Sequence, residues 1–232
     1  FDRATETATE IYENDTESSD SLVIRANARY LNGHVEDALA DCKTVLTLNP
    51  ERESIRQLHA MFQNVREWLS LAEQASQNNL FQKACSLFEM AIEAAEPQSL
   101  PQSSPLYRKL FLAKASALLY AGVYSKALDT VNMLLKHNTS DVDGWNIKID
   151  ALEKLDRKKE LLQELHNAVV INKWGAEYPL IAEKYHQMLQ AGQDQTKVED
   201  TGVNPERSQV TLSNSDVDSF ELIHNKLSST AA

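Results

Sequence analysis

The chain has 232 residues, of which 42% are hydrophobic, enough to bury the core of one or two domains. Glycine and proline number only six each, which excludes a turn-rich β protein and favours helices. The formal net charge is −11 and no cluster of Lys and Arg occurs, so we expect neither a nucleic-acid partner nor a membrane partner. No apolar run approaches the roughly 18 residues that would cross a bilayer.

The first segment, residues 1–18, is predicted to be the second helix of a helical hairpin whose first helix is absent. Phe1, Ala4 and Ile11 have the spacing of the aromatic, small and later apolar positions in the second helices further along. Because the sequence begins with Phe1 and not with Met, we expect it to be a piece of a longer protein.

A repeated frame follows this segment and predicts helix–turn–helix units of about 34 residues. The frame centres on a small residue, in GHVEDALADC (Ala38), NLFQKACSLF (Ala84) and GVYSKALDTV (Ala127). A Gly or Asn stands five positions before each of these residues, and a bulky apolar residue stands three positions before. The predicted units are 19–52, 65–98 and 108–141, with a degenerate fourth copy at 142–175.

Further segments connect or end the units. Residues 53–64 are predicted to be a helical spacer that runs into the second unit, and residues 99–107 (SLPQSSPLY) are predicted to be a loop. Residues 176–192 are predicted to form a capping helix that covers the last apolar face of the array. Residues 193–232 are polar and low in aromatic residues, so we expect a disordered tail.

The unit at 65–98 resembles the tetratricopeptide (TPR) repeat. The matching residues are Trp68, Leu71, Ala72, Phe81, Ala84, Phe88, Ala91 and Pro97. The resemblance implies an all-α fold, a TPR-like α-solenoid of antiparallel helix hairpins with a C-terminal capping helix and a disordered tail. Packing explains the pattern, because small residues let two helices approach closely and bulky residues fill the space between neighbouring hairpins.

The sequence carries no recognisable pattern of catalytic or metal-binding residues. The six histidines are scattered, and HExxH, CxxC, GxGxxG, GxSxG and phosphate-loop motifs are missing. We therefore expect a protein that is not an enzyme and that uses no metal or other cofactor. Cys42 and Cys85 lie in apolar helical patterns, which predicts buried, reduced thiols and a reducing compartment, the cytosol or the nucleus. Of these we expect a cytoplasmic location.

The best-known site of the TPR family is a carboxylate clamp that grips the acidic C-terminal tail of heat-shock chaperones. Carried over by position, the Lys and Asn of one repeat fall on Leu69 and Glu73, and the Asn of the next repeat falls on Ala113. The Lys and Arg of the third repeat fall on Asp143 and Ile147. None of the five residues is kept and two positions are acidic, so a free carboxylate would be repelled there.

The resemblance instead implies a concave groove, lined by the first helix of each hairpin, in which most side chains are apolar. The predicted groove residues are Val23, Ile24, Tyr30, Leu69, Glu73, Leu112, Ala113, Leu119, Tyr120, Asp143, Ile147 and Asp150. Such a surface suits a protein partner that offers an apolar or mildly basic peptide or helix. The alternative is that several of these side chains pack under neighbouring helices.

The order of the units is similar to that of TPR-containing DnaJ-type co-chaperones, in which a repeat ending as LTLNPERE does here, a helical spacer and a three-repeat group follow one another. That subfamily continues with a J domain that carries His-Pro-Asp, a tripeptide that residues 176–232 do not contain. Three functions remain open. They are a non-catalytic interaction scaffold such as a chaperone adaptor, a structural subunit of a multiprotein complex, and a TPR appendage of an enzyme whose catalytic domain lies outside this sequence.

Overall fold

The computed structural model describes residues 2–14, 18–95, 100–171 and 179–199. All regular structure in these ranges is helical, without a strand, as the composition predicts. The chain divides into two compact units, Phe1–Asp156 and Arg157–Ala232. The division falls inside the fourth predicted repeat, 142–175.

The described part of the first unit is a run of helices that pack in chain order. They are α1 (Asp2–Asn14), α2 (Ser19–Leu31), α3 (Val35–Leu48), α4 (Glu53–Gln77), α5 (Phe81–Ala95), α6 (Pro105–Tyr120), α7 (Tyr124–His137) and α8 (Val142–Lys154). Successive helices contact each other, and α6 also contacts α8 and α2. Hairpins α2–α3, α4–α5 and α6–α7 therefore stack in sequence, with first helix against first helix where α6 meets α8.

The tight turn of each hairpin uses the Gly or Asn position of the predicted frame. The backbone is left-handed at Gly33 (φ 88°), Asn79 (φ 59°), Gly122 (φ 77°) and Asp156 (φ 53°). Glycine adopts this conformation without steric cost, and Asn and Asp tolerate it better than other residues. In the first hairpin His34 N donates to Arg29 O at 2.8 Å, which closes the Schellman motif that ends a helix.

The core of the first unit combines small residues at the close approaches of helices with large residues between hairpins. The small residues Ala72, Ala84, Ala115 and Ala127 are fully buried. Between the first two hairpins, the ring of Tyr30 stacks on that of Phe62 with the centroids 4.1 Å apart. This is the small-to-large packing that the repeated frame predicts, and it confirms the all-α solenoid fold.

A buried carboxylate ties the first three helices together. Asp41 of α3 accepts hydrogen bonds from Arg25 at 3.0 and 2.7 Å and from Arg29 at 2.8 Å, both on α2. The Arg25 guanidinium also lies over the ring of Tyr12 on α1, 4.0 Å from its centroid. The hydrogen bond to Asp41 raises the pKa of Arg25 against the effect of burial. The buried negative charge is thus fully partnered, as stability requires.

Two hydrogen bonds join residues 33 positions apart, which are the first and last residues of predicted repeats. Arg52 donates to Ser19 Oγ at 3.3 Å, and Arg108 donates to Asp141 Oδ1 at 3.1 Å. Asp141 is also the N-cap of α8, since its side chain accepts from Gly144 N at 3.0 Å. Arg52 and Asp141 therefore each contact the first helix of the repeat that they end. Each of them also stands at the start of the next helix.

The predicted loop at 99–107 is shorter in the structure, because α6 begins at Pro105. Ser104 caps this helix by accepting a hydrogen bond from Tyr107 N at 3.2 Å. Proline suits the first helical turn because it has no N–H to leave unpaired. Upstream, α4 runs without a break through the predicted spacer into the second repeat, so the two form one helix.

The described part of the second unit contains α9 (Lys158–His166), a π-helical turn (Asn167–Ile171) and α10 (Pro179–Glu199). Helix α10 packs against α9 and the turn, and Tyr185 Oη lies 2.8 Å from His166 Nδ1. It covers most of the predicted capping segment and continues past it to Glu199. The rest of the predicted tail, 200–232, lies outside the described residues, as does Phe1.

Candidate functional site

One exposed face of α6 forms a wall shared by two adjacent grooves of the first unit. Lys109, Leu112, Ala113, Ser116 and Tyr120 lie on this face, because successive members are one, three or four positions apart. All five side chains are at least partly exposed. Helix α8 borders one side of the wall, and α4 with α5 borders the other.

The first groove, which we call the α6–α8 groove, has a volume of about 510 Å³. It is lined by Arg108, Lys109, Leu112, Ala113, Ser116, Leu119 and Tyr120 of α6 and by Asp143, Asn146, Ile147 and Asp150 of α8. Apolar side chains of α6 therefore face a rim that carries both signs of charge.

The second groove, the α4–α6 groove, has a volume of about 430 Å³ and is nearly uncharged. Its lining residues are Glu73, Ser76, Gln77, Phe81, Phe88, Ala113, Ser116, Ala117 and Tyr120. Tyr120 stacks on Phe81 with ring centroids 5.2 Å apart, although 69% of Tyr120 is exposed. A supported but exposed aromatic ring is the kind of residue that commonly dominates binding energy at protein interfaces.

Two cations of α6 are already paired with the acids that border the grooves. Lys109 Nζ lies 3.1 Å from Glu73 Oε1 on α4. Arg108 Nη2 lies 2.7 Å from Asp143 Oδ2, and the same guanidinium pairs with Asp141. The hydrogen bond to Asp141 raises the pKa of Arg108, although burial alone would lower it. Asp143 contributes to this rise. Neither cation is free to grip a carboxylate without breaking an existing pair.

The structure brings together eight of the twelve predicted groove residues. Leu112, Ala113, Leu119, Tyr120, Asp143, Ile147 and Asp150 line the α6–α8 groove, and Glu73 lines the neighbouring one. Four others lie elsewhere. Val23 and Ile24 are on α2 and line neither groove, and Ile24 is half exposed.

Tyr30 and Leu69 correct the predicted groove, because both belong to the core. Tyr30 is 1% exposed and Leu69 is 6% exposed. Tyr30 stacks on Phe62 of the next hairpin, and Leu69 is one of the buried residues of α4. This is the alternative that the sequence left open. Neither side chain is available to a ligand.

Sequence reasoning missed Arg108, Lys109 and Ser116, although a signal for them was present. Lys109 and Ser116 share the helix face of Leu112 and Ala113, so the 3.6-residue period of α6 marks them as groove residues. Arg108 stands at the first position of its repeat, and only the fold shows that it reaches the acids at the start of α8.

The described part of the chain offers little for covalent or metal chemistry. Within it, no group of three or more His, Cys, Asp and Glu side chains is placed to hold a metal ion. Both cysteines are buried free thiols, and burial, with a smaller contribution from Asp41, raises the pKa of Cys42 to about 11. In the same ranges no helix is both long and apolar enough to cross a membrane.

Comparison of the fold places it in the TPR class. The structure matches the crystal structure of the TPR domain of P58(IPK) with a TM-score of 0.61 and 14% sequence identity. The match covers 82% of this chain and 51% of that one. At this level of identity the likeness establishes the fold, a TPR-like helical solenoid. No family model matches the sequence.

Comparison of the sequence finds a curated relative of the DnaJ type. The chain is 23% identical over 174 residues to the DnaJ homolog subfamily C member 7 homolog of Schizosaccharomyces pombe. The match covers 74% of this chain but only 35% of that protein, so the chain spans about a third of its relative. The weak similarity to DnaJ-type TPR proteins expected from the order of the repeats is therefore confirmed.

Proposed function

We propose that the chain is a non-catalytic protein-interaction scaffold that binds an apolar or mildly basic peptide or helix in the two grooves beside α6. The observation that carries the proposal is Tyr120, an exposed aromatic ring that is supported by Phe81 and borders both grooves. The site offers shape and apolar area, and Lys109, Arg108, Glu73 and Asp143 beside it are held in ion pairs, which suits recognition.

The charges beside α6 argue against the acidic peptide tails that the carboxylate clamp of other TPR proteins grips. At the five clamp positions stand Leu69, Glu73, Ala113, Asp143 and Ile147, none of them a cation. A peptide carboxylate would have to compete with Glu73 for Lys109 or with Asp143 for Arg108. It would also be repelled by these acids, which makes its binding unfavourable.

A place in a chaperone system is supported by the similarity to a DnaJ homolog. The proposed role is that of a cytoplasmic adaptor, which holds a partner protein without itself carrying out a reaction. This role requires only that the grooves bind a segment of a protein, and the match covers only 35% of the relative.

Selection of peptides tests the proposal directly. Random sixteen-residue peptides displayed on phage are selected on the whole chain, and the enriched peptides are synthesised for fluorescence polarisation. We expect Tyr120→Ala to weaken their binding about tenfold or more, the usual effect of removing an aromatic anchor. The matched control is Leu48→Ala, which removes a similarly exposed side chain (57%) at the end of α3, outside both grooves.

Circular dichroism is expected to give melting temperatures within about 5 °C of the wild type for both variants, since both side chains are largely exposed and Tyr120→Ala loses only the stacking on Phe81. Enriched peptides that bind Tyr120→Ala as tightly as the wild type would show that the grooves beside α6 are not the binding site.

A further inference from the structure

We propose that the two grooves together hold one extended peptide with a bulky apolar residue at the Tyr120 end of α6 and a Lys or Arg at the Arg108 end. This inference rests on the peptide-binding function proposed above and specifies the chemistry of the peptide. The partner is therefore a protein that exposes such a two-anchor segment.

The apolar anchor belongs at the C-terminal end of α6. There the α4–α6 groove is walled by Phe81, Phe88, Ala117 and Tyr120. The one carboxylate in its lining, Glu73, is held by Lys109 at 3.1 Å. A charged ligand residue would lose hydration here and find no free partner, whereas a Leu, Met or Phe side chain would bury apolar surface.

The basic anchor belongs at the N-terminal end of α6, where one cation faces two carboxylates. Arg108 pairs with Asp141, whose side chain is fully buried, and with Asp143, whose side chain is 67% exposed. One positive and two negative charges leave one negative charge in surplus, and Asp143 is the carboxylate that a ligand can reach. A ligand ammonium or guanidinium balances this surplus, while a ligand carboxylate adds to it.

The distance between the anchors favours an extended chain. Arg108 and Tyr120 are 12 positions apart on one helix, which is about 18 Å at 1.5 Å per residue. An extended peptide advances about 3.3 Å per residue, so about five residues span this distance. A ligand helix would need about 12 residues and, at a diameter of about 10 Å, would have to pass over the exposed ring of Tyr120.

Parallel selections test the assignment. The same phage library is selected on the wild type, on Asp143→Asn and on the matched control Asp129→Asn, an exposed acid of α7 outside both grooves. We expect Lys or Arg about five positions from a bulky apolar residue to be enriched by the wild type and by Asp129→Asn. Asp143→Asn is expected to lose the basic residue and keep the apolar one.

The strongest peptide then serves as the probe in a double-mutant cycle. Replacing its Lys or Arg by norleucine should weaken binding to the wild type about two- to fivefold, the range for an exposed ion pair, and should leave binding to Asp143→Asn unchanged. Salt provides a readout that needs no variant. Raising NaCl from 50 to 500 mM should weaken the basic peptide more than the norleucine peptide.

The outcomes separate this inference from the function on which it rests. Peptides that need Tyr120 but show no preference for a basic residue, or whose norleucine version binds equally well, overturn the two-anchor ligand and leave the peptide-binding function intact. Enrichment at a spacing of 11 or 12 positions overturns the extended chain. Peptides that bind Tyr120→Ala as tightly as the wild type overturn both.

Discussion

The hydroxyl of Tyr30 is buried and has no hydrogen-bond partner in the described part of the protein. Burial alone raises its pKa above that of a free tyrosine, so the phenol stays protonated throughout the neutral range. An unpaired buried hydroxyl costs about 1–3 kcal/mol, while the ring gains from its stacking on Phe62. Ring and hydroxyl therefore act on stability in opposite directions.

Tyr30→Phe is expected to raise the free energy of unfolding by about 1 kcal/mol, because it keeps the stacked ring and removes the unpaired hydroxyl. Tyr30→Leu, which removes both, is expected to lower it by about 2 kcal/mol. Urea denaturation followed by circular dichroism measures both changes. A loss of stability in Tyr30→Phe would show that the hydroxyl is paired in solution and contributes to the fold.

Some residues of the site could be predicted from the sequence and others could not. The TPR resemblance assigned Leu112, Tyr120 and Asp143 to the groove, and all three line the α6–α8 groove because side chains of one helix face stay together. Leu69 and Tyr30 could not be assigned in this way. Whether an apolar side chain faces a groove or the next hairpin depends on how two helices rotate against each other, which no local pattern encodes.

At the scale of elements, the turns between helices were the most predictable feature. The position five residues before each central small residue has a left-handed backbone in every hairpin of the first unit, and it is Gly or Asn there for a local steric reason. The boundaries of α6 and α10 were less predictable. Ser104 and Pro105 start α6 earlier than the repeat frame requires, since a cap is a stronger local signal than a repeat boundary.

The two kinds of turn residue are expected to respond differently to substitution. A Cβ at Gly122 would meet no atom within 4 Å. Gly122→Ala should therefore lower the free energy of unfolding by about 1 kcal/mol, which is the strain of an alanine in a left-handed backbone conformation. Asn79→Ala should cost a similar amount, and Asn79→Gly should be neutral or slightly stabilising because glycine is at ease at positive φ. Urea denaturation measures all three.

Ser125→Ala, an exposed helical position three residues after Gly122, is the control and should change stability by less than about 0.5 kcal/mol. If Gly122→Ala and Ser125→Ala behaved alike, the left-handed turn would not be a requirement of the hairpin.

At the scale of the whole first unit, α4 joins the first hairpin to those that follow, and α2 also contacts α6 directly. This helix of 25 residues packs against both α3 and α5. The buried residues form one stripe along the helix, namely Ile55, Leu58, Phe62, Val65, Leu69, Ala72 and Ala75. A single helix thus contributes to the interfaces of two successive repeats, so their stabilities are coupled.

Asn64→Pro tests this coupling at an exposed position in the middle of α4. Proline in a helix interior costs about 3 kcal/mol because it removes a hydrogen bond and clashes with the preceding turn. We expect amide hydrogen exchange of α2 and α3 to accelerate at least tenfold, with a smaller change in α6 and α7. Asn64→Ala is the matched control and should leave exchange unchanged or slow it slightly, since Ala favours helix. Equal acceleration in all hairpins would contradict the linking role of α4.

Because the buried stripe on α4 is continuous, the number of residues in this helix fixes the angle between the two halves of the stripe. Each residue of an α-helix turns the side chains that follow by 100°, so adding or removing one residue between Phe62 and Val65 would swing the second half of the stripe out of line with the first. Surface turns tolerate changes of length, whereas we expect a change of length in this segment to destabilise the first unit. The number of residues from Glu53 to Gln77 therefore sets the orientation of hairpins α4–α5 and α6–α7, and with them the face of Tyr120, relative to the first hairpin.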